Sequence, residues 1–201
     1  AHGKVLDKTR IDASLPTLKN LLERKAGAVT ILCHIDRPGG KVVEELRVRP
    51  VAQLLKAMLP KIFSVTIEEN LRFNPGEEGN SLEFARQLAI HADLFINEAF
   101  ADSHRNHASI VSLPNLLPSS SGLHFRKERE ALDRVRHTPH RPLLVIIGGA
   151  KLETKLPLIE KLIPLADEML IGGKLAQEVK KTCSPETLSR MVVAALPKEG
   201  R

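Results

Sequence analysis

Residues 143–155 read L-L-V-I-I-G-G-A-K-L-E-T-K. The first five are aliphatic and rich in β-branched side chains, which suits a short strand buried on both faces. The glycine pair lets the backbone turn sharply, and residues 153–162 carry a helical pattern despite Pro157. The same order returns at 168–181, where E-M-L-I leads into Gly172, Gly173 and a helix from Lys174. Upstream, apolar runs predict strands at 28–33, 62–67 and 93–96. Helical stripes lie between them at 14–25, with Ser14 as N-cap, at 50–59, and from Ser81 to about 91. A short helix at 185–190 and a strand at 191–196 close the pattern. Strands and helices alternating through short joins call for an α/β fold: parallel sheets covered by helices on both faces.

A strongly charged helix, expected within about 122–137, reads as a bridge between an N-terminal domain of residues 1–142 and a second, incomplete domain of residues 143–201. The second piece is too short for a whole α/β domain, and its sheet has an unfinished edge. The stretch 111–121, with two prolines and the Ser119–Ser121 run, reads as a surface connection.

Composition narrows the classes. The 201 residues are 42% hydrophobic and carry a net charge of +6, which is globular composition suited to anionic ligands. Aromatics are only 3%, with no Trp or Tyr, so the stacking platforms of single-strand nucleic-acid binders are lacking and no nucleic-acid partner is expected. No apolar run approaches the ~18 residues of a membrane span, and no signal-like segment opens the sequence. Cys33 and Cys183 stand in neither metal nor redox spacing; Cys33 is expected to be a buried thiol, and a reducing, cytoplasmic setting fits.

Four constellations could carry chemistry. His34, Asp36 and Arg37 follow a strand, where parallel sheets bind ligands. His104, Arg105 and His107 make a second anion-friendly corner; their spacing and the lack of a nearby thiol argue against zinc, and Asn97 and Glu98 are read as holding the local backbone. Arg10 is read as lying just before the first helix. Gly148–Lys151, with Lys155 one helical turn on, suggests a phosphate cradle at a helix N-terminus, although it is neither a Walker A box nor a dinucleotide fingerprint. No acyl-transfer nucleophile is evident, since the serine run lacks the strand–turn–helix setting.

The stretches T-R-I-D-A-S-L-P-T-L, C-H-I-D-R-P, E-N-L-R-F-N-P-G-E-E-G-N, N-E-A-F-A-D-S-H-R-N-H-A-S, H-R-P-L-L-V-I-I-G-G-A-K-L-E-T-K and L-I-G-G-K-L-A occur in one order. In that order they resemble the phosphoglycerate kinase family over about 175 residues. The resemblance implies two Rossmann-like three-layer domains joined by a long helix and closing on a hinge. It implies phosphoryl transfer between 1,3-bisphosphoglycerate and ADP, giving 3-phosphoglycerate and ATP, with Mg²⁺ accompanying the nucleotide, in a cytoplasmic monomer that acts on small molecules. The alternative is a non-catalytic or truncated relative that binds phosphoglycerate-like anions. Carried over, the substrate residues are Arg10, His34, Ile35, Asp36, Arg37, Arg105 and Arg141, and the nucleotide residues are Gly149, Ala150, Lys151, Lys155, Gly172 and Gly173. Arg10 and Lys155 take the catalytic roles, and no metal-ligating residue is assigned. The acceptor carboxylate is already ionised at neutral pH, so no general base is needed; alignment and charge neutralisation suffice.

The sequence also departs from the family. Val5 and Leu6 run into Asp7-Lys8-Thr9 where the family has R-V-D-F-N-V-P. The join at Ile67–Glu68 is short, Asp36 stands where the family has glycine, and Lys174 replaces the third glycine of a triplet. The later Gly-Gly-Asp-[Ser/Thr] loop is missing; either stretches of a longer chain are absent from this sequence, or the protein lacks them.

Overall fold

A computed structural model describes residues 5–193. The chain divides into two compact units, residues 1–130 and 131–201. The division falls inside the charged helix rather than after it at 142. That helix has no buried residue, so burial ties it to neither core.

The first unit opens with α1 (Thr9–Glu23). Its start is set by Asp7, whose Oδ1 accepts from the Thr9 amide at 2.8 Å and the Thr9 hydroxyl at 2.6 Å. Ser14 is therefore not the N-cap: it lies inside the helix and donates to the Ile11 carbonyl at 2.7 Å. Arg10 accordingly belongs to the first turn of α1 rather than to the loop before it. β1 (Val29–Ile31), α2 (Arg49–Ala57) and β2 (Val65–Ile67) follow, with β1 and β2 parallel in the register Val29↔Val65 to Ile31↔Ile67. Ile11, Leu18, Leu55, Leu59 and Phe63 form the buried core of this part. Full burial of each such side chain is worth about 1.5–3 kcal/mol. Cys33 is only half-buried, and burial followed by the nearby Glu69 carboxylate pushes its thiol up to about 11.

Beyond β2 the expected polar loop carries a 3-10 turn at Leu71–Phe73 and α3 (Pro75–Glu78). Ser81 caps α4 (Leu82–Ala89) as expected, accepting from the Phe84 amide at 3.3 Å. β3 (Phe95–Asn97) then pairs in parallel with β4 (Ser119–Ser121). The serine run is thus a strand, not a linker. Its pairing is a backbone property, and exposed serines at Ser119 and Ser120 give no hydrophobic signal to reveal it. Between these strands a π-helical turn, Ala108–Ser112, and a 3-10 turn bury Ala108 and Leu113 against Ala85. The charged α5 (Leu123–His137) comes next.

In the second unit β5 (Leu144–Ile147), β6 (Glu168–Ile171) and β7 (Val192–Val193) form a parallel sheet in sequence order. The expected extension of the last strand to residue 196 lies outside the described residues. α6 (Leu156–Leu162), α7 (Lys174–Thr182) and α8 (Pro185–Ser189) complete the unit. Its core holds Ile159, Met169, Ile171, Leu175 and Val179, while Leu144 and Ile146 on β5 remain exposed. No helix among the described residues is long and apolar enough to cross a membrane.

Helix α6 begins at Leu156, three residues later than its pattern suggests. Pro157 accounts for the delay, because proline lacks an amide hydrogen and costs least in a helix's first turn, where α6 places it. Residues 151–155 instead form a turn, pinned where the Leu152 amide donates to Glu178 at 2.8 Å. Lys151 and Lys155 therefore do not share a helical face, and Gly148–Lys151 does not open directly onto a helix N-terminus.

Candidate functional site

Side chains from four segments of the first unit line one polar cavity of about 290 Å³: Arg10, His34, Asp36, Arg37, Arg72, Ala101, Asp102 and Arg105. His34, Asp36 and Arg37 follow β1, Arg72 follows β2, and Asp102 and Arg105 follow β3. These are the carboxyl ends of parallel strands, where open α/β sheets place ligands. Arg10 arrives from the first turn of α1.

The loop after β1 is braced from beneath. Asn70, only 2% exposed, donates from Nδ2 to the carbonyls of Ile35 at 2.8 Å and Leu46 at 3.1 Å. Its Oδ1 accepts from the Arg72 amide at 3.2 Å. Arg72, 3% exposed, donates from Nη1 to the Asp36 carbonyl at 2.7 Å and from Nη2 to Asp102 at 3.5 Å. Its Nε lies 3.7 Å from Glu78, inside ion-pair range but beyond a hydrogen bond. Asp36 adopts φ +54°, a left-handed conformation that favours glycine and that Asp tolerates better than most residues. Glycine would take this conformation freely, so the backbone here would accept it without the carboxylate.

Asp102 sits among the cations. It accepts from Arg105 Nε at 2.6 Å and lies 3.5 Å from both Arg72 Nη2 and His34 Nε2. Burial alone would raise its pKa, but the Arg105 hydrogen bond, His34, Arg105 and Arg72 together hold it below the usual aspartate value. His34 titrates below the ordinary histidine value, first because burial disfavours its cation and then because Arg72 lies nearby; Asp102 works in the opposite direction. At neutral pH the cavity thus contains four arginines, a neutral imidazole and two carboxylates.

The expected second corner separates. Arg105 lines the cavity, His104 is exposed, and His107 is buried with Nδ1 3.7 Å from Glu77. Among the described residues no group of three or more His, Cys, Asp or Glu could hold a metal ion. Arg141 lies in the second unit, where Nη1 donates to the Leu165 carbonyl at 2.8 Å and pairs with Asp167 at 2.8 Å. The first unit's cavity is built without it. Arg72 is the residue that sequence reasoning passed over. It stands within E-N-L-R-F, just after a strand, by the same positional rule that singled out Arg37.

In the second unit, the ends of adjacent strands β5 and β6 carry Gly148–Gly149 and Gly172–Gly173. Gly149 has φ +139° and Gly173 has φ +67°, conformations that favour glycine. The two turns interlock: the Leu175 amide donates to the Gly149 carbonyl at 2.9 Å, and a Cβ added at Gly173 would lie 3.5 Å from that oxygen. A Cβ at Gly148 or Gly172 would meet nothing within 4 Å, so both present open backbone. Gly173 is the N-cap of α7, with no side chain capping it, and Lys155 lies 3.9 Å from the Cβ position of Gly149. Ala150 and Lys151 are exposed on the same turn. Open glycine backbone, a helix N-terminus and two lysines fit the phosphates of a nucleotide.

Comparison with known proteins identifies relatives of the chain. The family model for phosphoglycerate kinase matches residues 1–68 and 60–187, two stretches that meet around β2 and the short join after it. The phosphoglycerate kinase of Thermomicrobium roseum is 42% identical over 92% of this chain and 52% of its own length. That of Caulobacter vibrioides is 40% identical over 87% of this chain and 49% of its own. Among solved structures, phosphoglycerate kinase from Coxiella burnetii superposes with a TM-score of 0.78 at 34% identity, over 90% of this chain and 50% of that one. The Pyrococcus horikoshii enzyme gives 0.73 at 28% identity, over 87% and 50%. The chain spans about half the length of the curated relatives it matches. On these matches the chain belongs to the phosphoglycerate kinase family.

Proposed function

We propose that the first unit is the phosphoglycerate-binding part of a phosphoglycerate kinase, and that the second begins its nucleotide-binding part. The whole protein then moves a phosphoryl group reversibly between 1,3-bisphosphoglycerate and ADP. In the ATP-consuming direction a carboxylate oxygen of 3-phosphoglycerate forms a bond to the γ-phosphorus. The bond from that phosphorus to the bridging oxygen breaks, and its electron pair leaves with ADP. The reverse direction returns the phosphoryl group to the terminal phosphate oxygen of ADP. No proton is abstracted, so protein groups serve by orientation and by neutralising charge.

The observation that carries this reading is the gathering of Arg10, His34, Arg37, Arg72 and Arg105 around one cavity. Guanidinium forks match the oxygens of phosphate and carboxylate, and this ligand offers both. Arg10 is the proposed neutralising group on the acyl-phosphate side, and Lys155, beside Gly149, on the nucleotide side. ATP or ADP, as its magnesium complex, is the proposed ligand of the glycine turns. Both described cysteines are free thiols, which supports a reducing, cytoplasmic setting.

The test is calorimetric titration of the 201-residue chain with 3-phosphoglycerate. Saturable binding is expected. Arg10→Ala should weaken it by roughly tenfold or more, the worth of one charge-assisted hydrogen bond of about 1.5–3 kcal/mol. Binding that is absent, or indifferent to both Arg10→Ala and Arg105→Ala, overturns the assignment.

A further inference from the structure

A cavity built for anions would be expected to exclude carboxylates, yet Asp102 lies in its wall and accepts the shortest hydrogen bond that Arg105 makes, 2.6 Å from Nε. The same carboxylate stands 3.5 Å from Arg72 Nη2 and 3.5 Å from His34 Nε2. Its side chain keeps 21% exposure, so one edge faces the cavity that a ligand would enter. The remaining charged groups of the wall are Arg10, Arg37 and Asp36. We propose that Asp102 is a resident counter-anion, a specificity-determining residue that weakens every anion the cavity takes and keeps small phosphates from holding it. This inference rests on the anion-binding reading above and adds what sets the affinity of that site.

The argument is one of competition. In the empty cavity Asp102 already satisfies part of Arg105, and it shares the field of Arg72 and His34. An incoming phosphate must draw on the same cations while remaining within several ångströms of a like charge. A unit negative charge about 6 Å from a dianion weakens binding by roughly tenfold even at the dielectric of bulk water, so tenfold is the lower bound. A ligand with a second anionic group can recover this by reaching Arg10 or Arg37 as well. Inorganic phosphate is too small to span the cavity and cannot. A carboxylate that served only to hold Arg105 in place would have the opposite effect, since its removal would loosen the guanidinium and weaken binding.

The experiment titrates the complete 201-residue chain with inorganic phosphate and, separately, with 3-phosphoglycerate. It compares wild type, Asp102→Asn, Asp102→Ser and Asp102→Glu at matched low and high ionic strengths, with thermal melts to establish folding. Both neutral variants are expected to bind inorganic phosphate roughly tenfold tighter, with a steeper loss of affinity as salt is added. Asp102→Glu, which keeps the charge, should stay near wild type. Unchanged or weaker phosphate binding in whichever neutral variant folds overturns the proposal, even if wild type binds 3-phosphoglycerate well. If wild type fails to bind 3-phosphoglycerate while a neutral variant gains phosphate affinity, the counter-anion role stands and the phosphoglycerate assignment falls.

Discussion

Replacing Arg72 with methionine should lower both the stability of the first unit and the affinity of its cavity. Methionine preserves much of the aliphatic stem, so the change mainly removes the guanidinium. Three groups lose it: the Asp36 carbonyl at 2.7 Å, Asp102 at 3.5 Å and Glu78 at 3.7 Å. The first is a charge-assisted hydrogen bond from a side chain only 3% exposed, worth about 1.5–3 kcal/mol. Asp102 keeps Arg105, and Glu78 is 35% exposed and can turn to water, so each adds little. A loss of about 2–3 kcal/mol follows. A domain near the size of the first unit shifts by about 4 °C per kcal/mol, so its melting temperature should drop by about 10 °C. Differential scanning calorimetry measures this directly. Arg72→Lys supplies the internal control: it keeps the charge but not the fork that reaches Asp36 and Asp102 together, and should fall in between. A drop below about 2 °C in Arg72→Met, with 3-phosphoglycerate affinity unchanged, would refute the view that this buried arginine fastens the loop after β1 and charges the cavity.

Two further outcomes follow from the same wall. Asp36→Gly should raise the melting temperature slightly, by relieving about 0.5 kcal/mol of left-handed strain at φ +54° net of glycine's added unfolded-state freedom, and a clear fall would contradict it. His34 binds its proton less readily in the native state than in the unfolded chain, so its contribution to stability is complete above about pH 6.5 and is lost as pH falls from there through the lowered native value. Burial sets this first, Arg72, His107 and Arg105 add to it, and Asp102 opposes it; between pH 7 and 5 a His34→Gln variant should show a flatter decline in melting temperature than wild type, and equal slopes would count against it.

The sequence made some of this legible and hid the rest for physical reasons. The strands β1, β2, β3, β5 and β6 carry β-branched or aliphatic runs and were foreseeable from composition alone. β4 was not, because Ser119–Ser121 joins the sheet through its backbone while two of its three side chains face solvent. The start of α1 was hidden because Ser14 sits directly ahead of the leucine stripe, whereas the helix already begins at Thr9, whose amide Asp7 accepts. The start of α6 was misplaced because helical periodicity outweighed Pro157, whose missing amide hydrogen in fact fixes the first turn. Within the cavity, Arg10, His34, Arg37 and Arg105 could be named because arginine or histidine beyond a strand end is a recognisable pattern. Arg72 obeys the same pattern, but its short polar segment reads as a loop until the Asn70 and Asp36 contacts place it.

Those contacts also explain how short strands hold a charged cavity in shape. Each two-stranded sheet spans only three residue pairs, too little ladder to fix the loops beyond it. Buried polar side chains supply the missing order. Asn70 ties the loop after β2 to the loop after β1, and Arg72 ties both to Asp102 beyond β3. On the other side, Glu98 accepts the amides of His124 at 3.1 Å and Phe125 at 3.2 Å and the hydroxyl of Thr17 in α1, the helix that carries Arg10. A carboxylate at the start of α5 gains from the helix dipole, and Thr17 returns the contact by accepting the Leu123 amide at 2.8 Å. A Cβ at Gly122 would push the Glu98 carboxylate away from the His124 and Phe125 amides. Every loop that lends a cation to the cavity is therefore anchored by a hydrogen bond to a group outside its own segment. An anion entering such a site meets Arg72 and Arg105 already held by hydrogen bonds, so its binding energy is not spent on ordering those two guanidiniums.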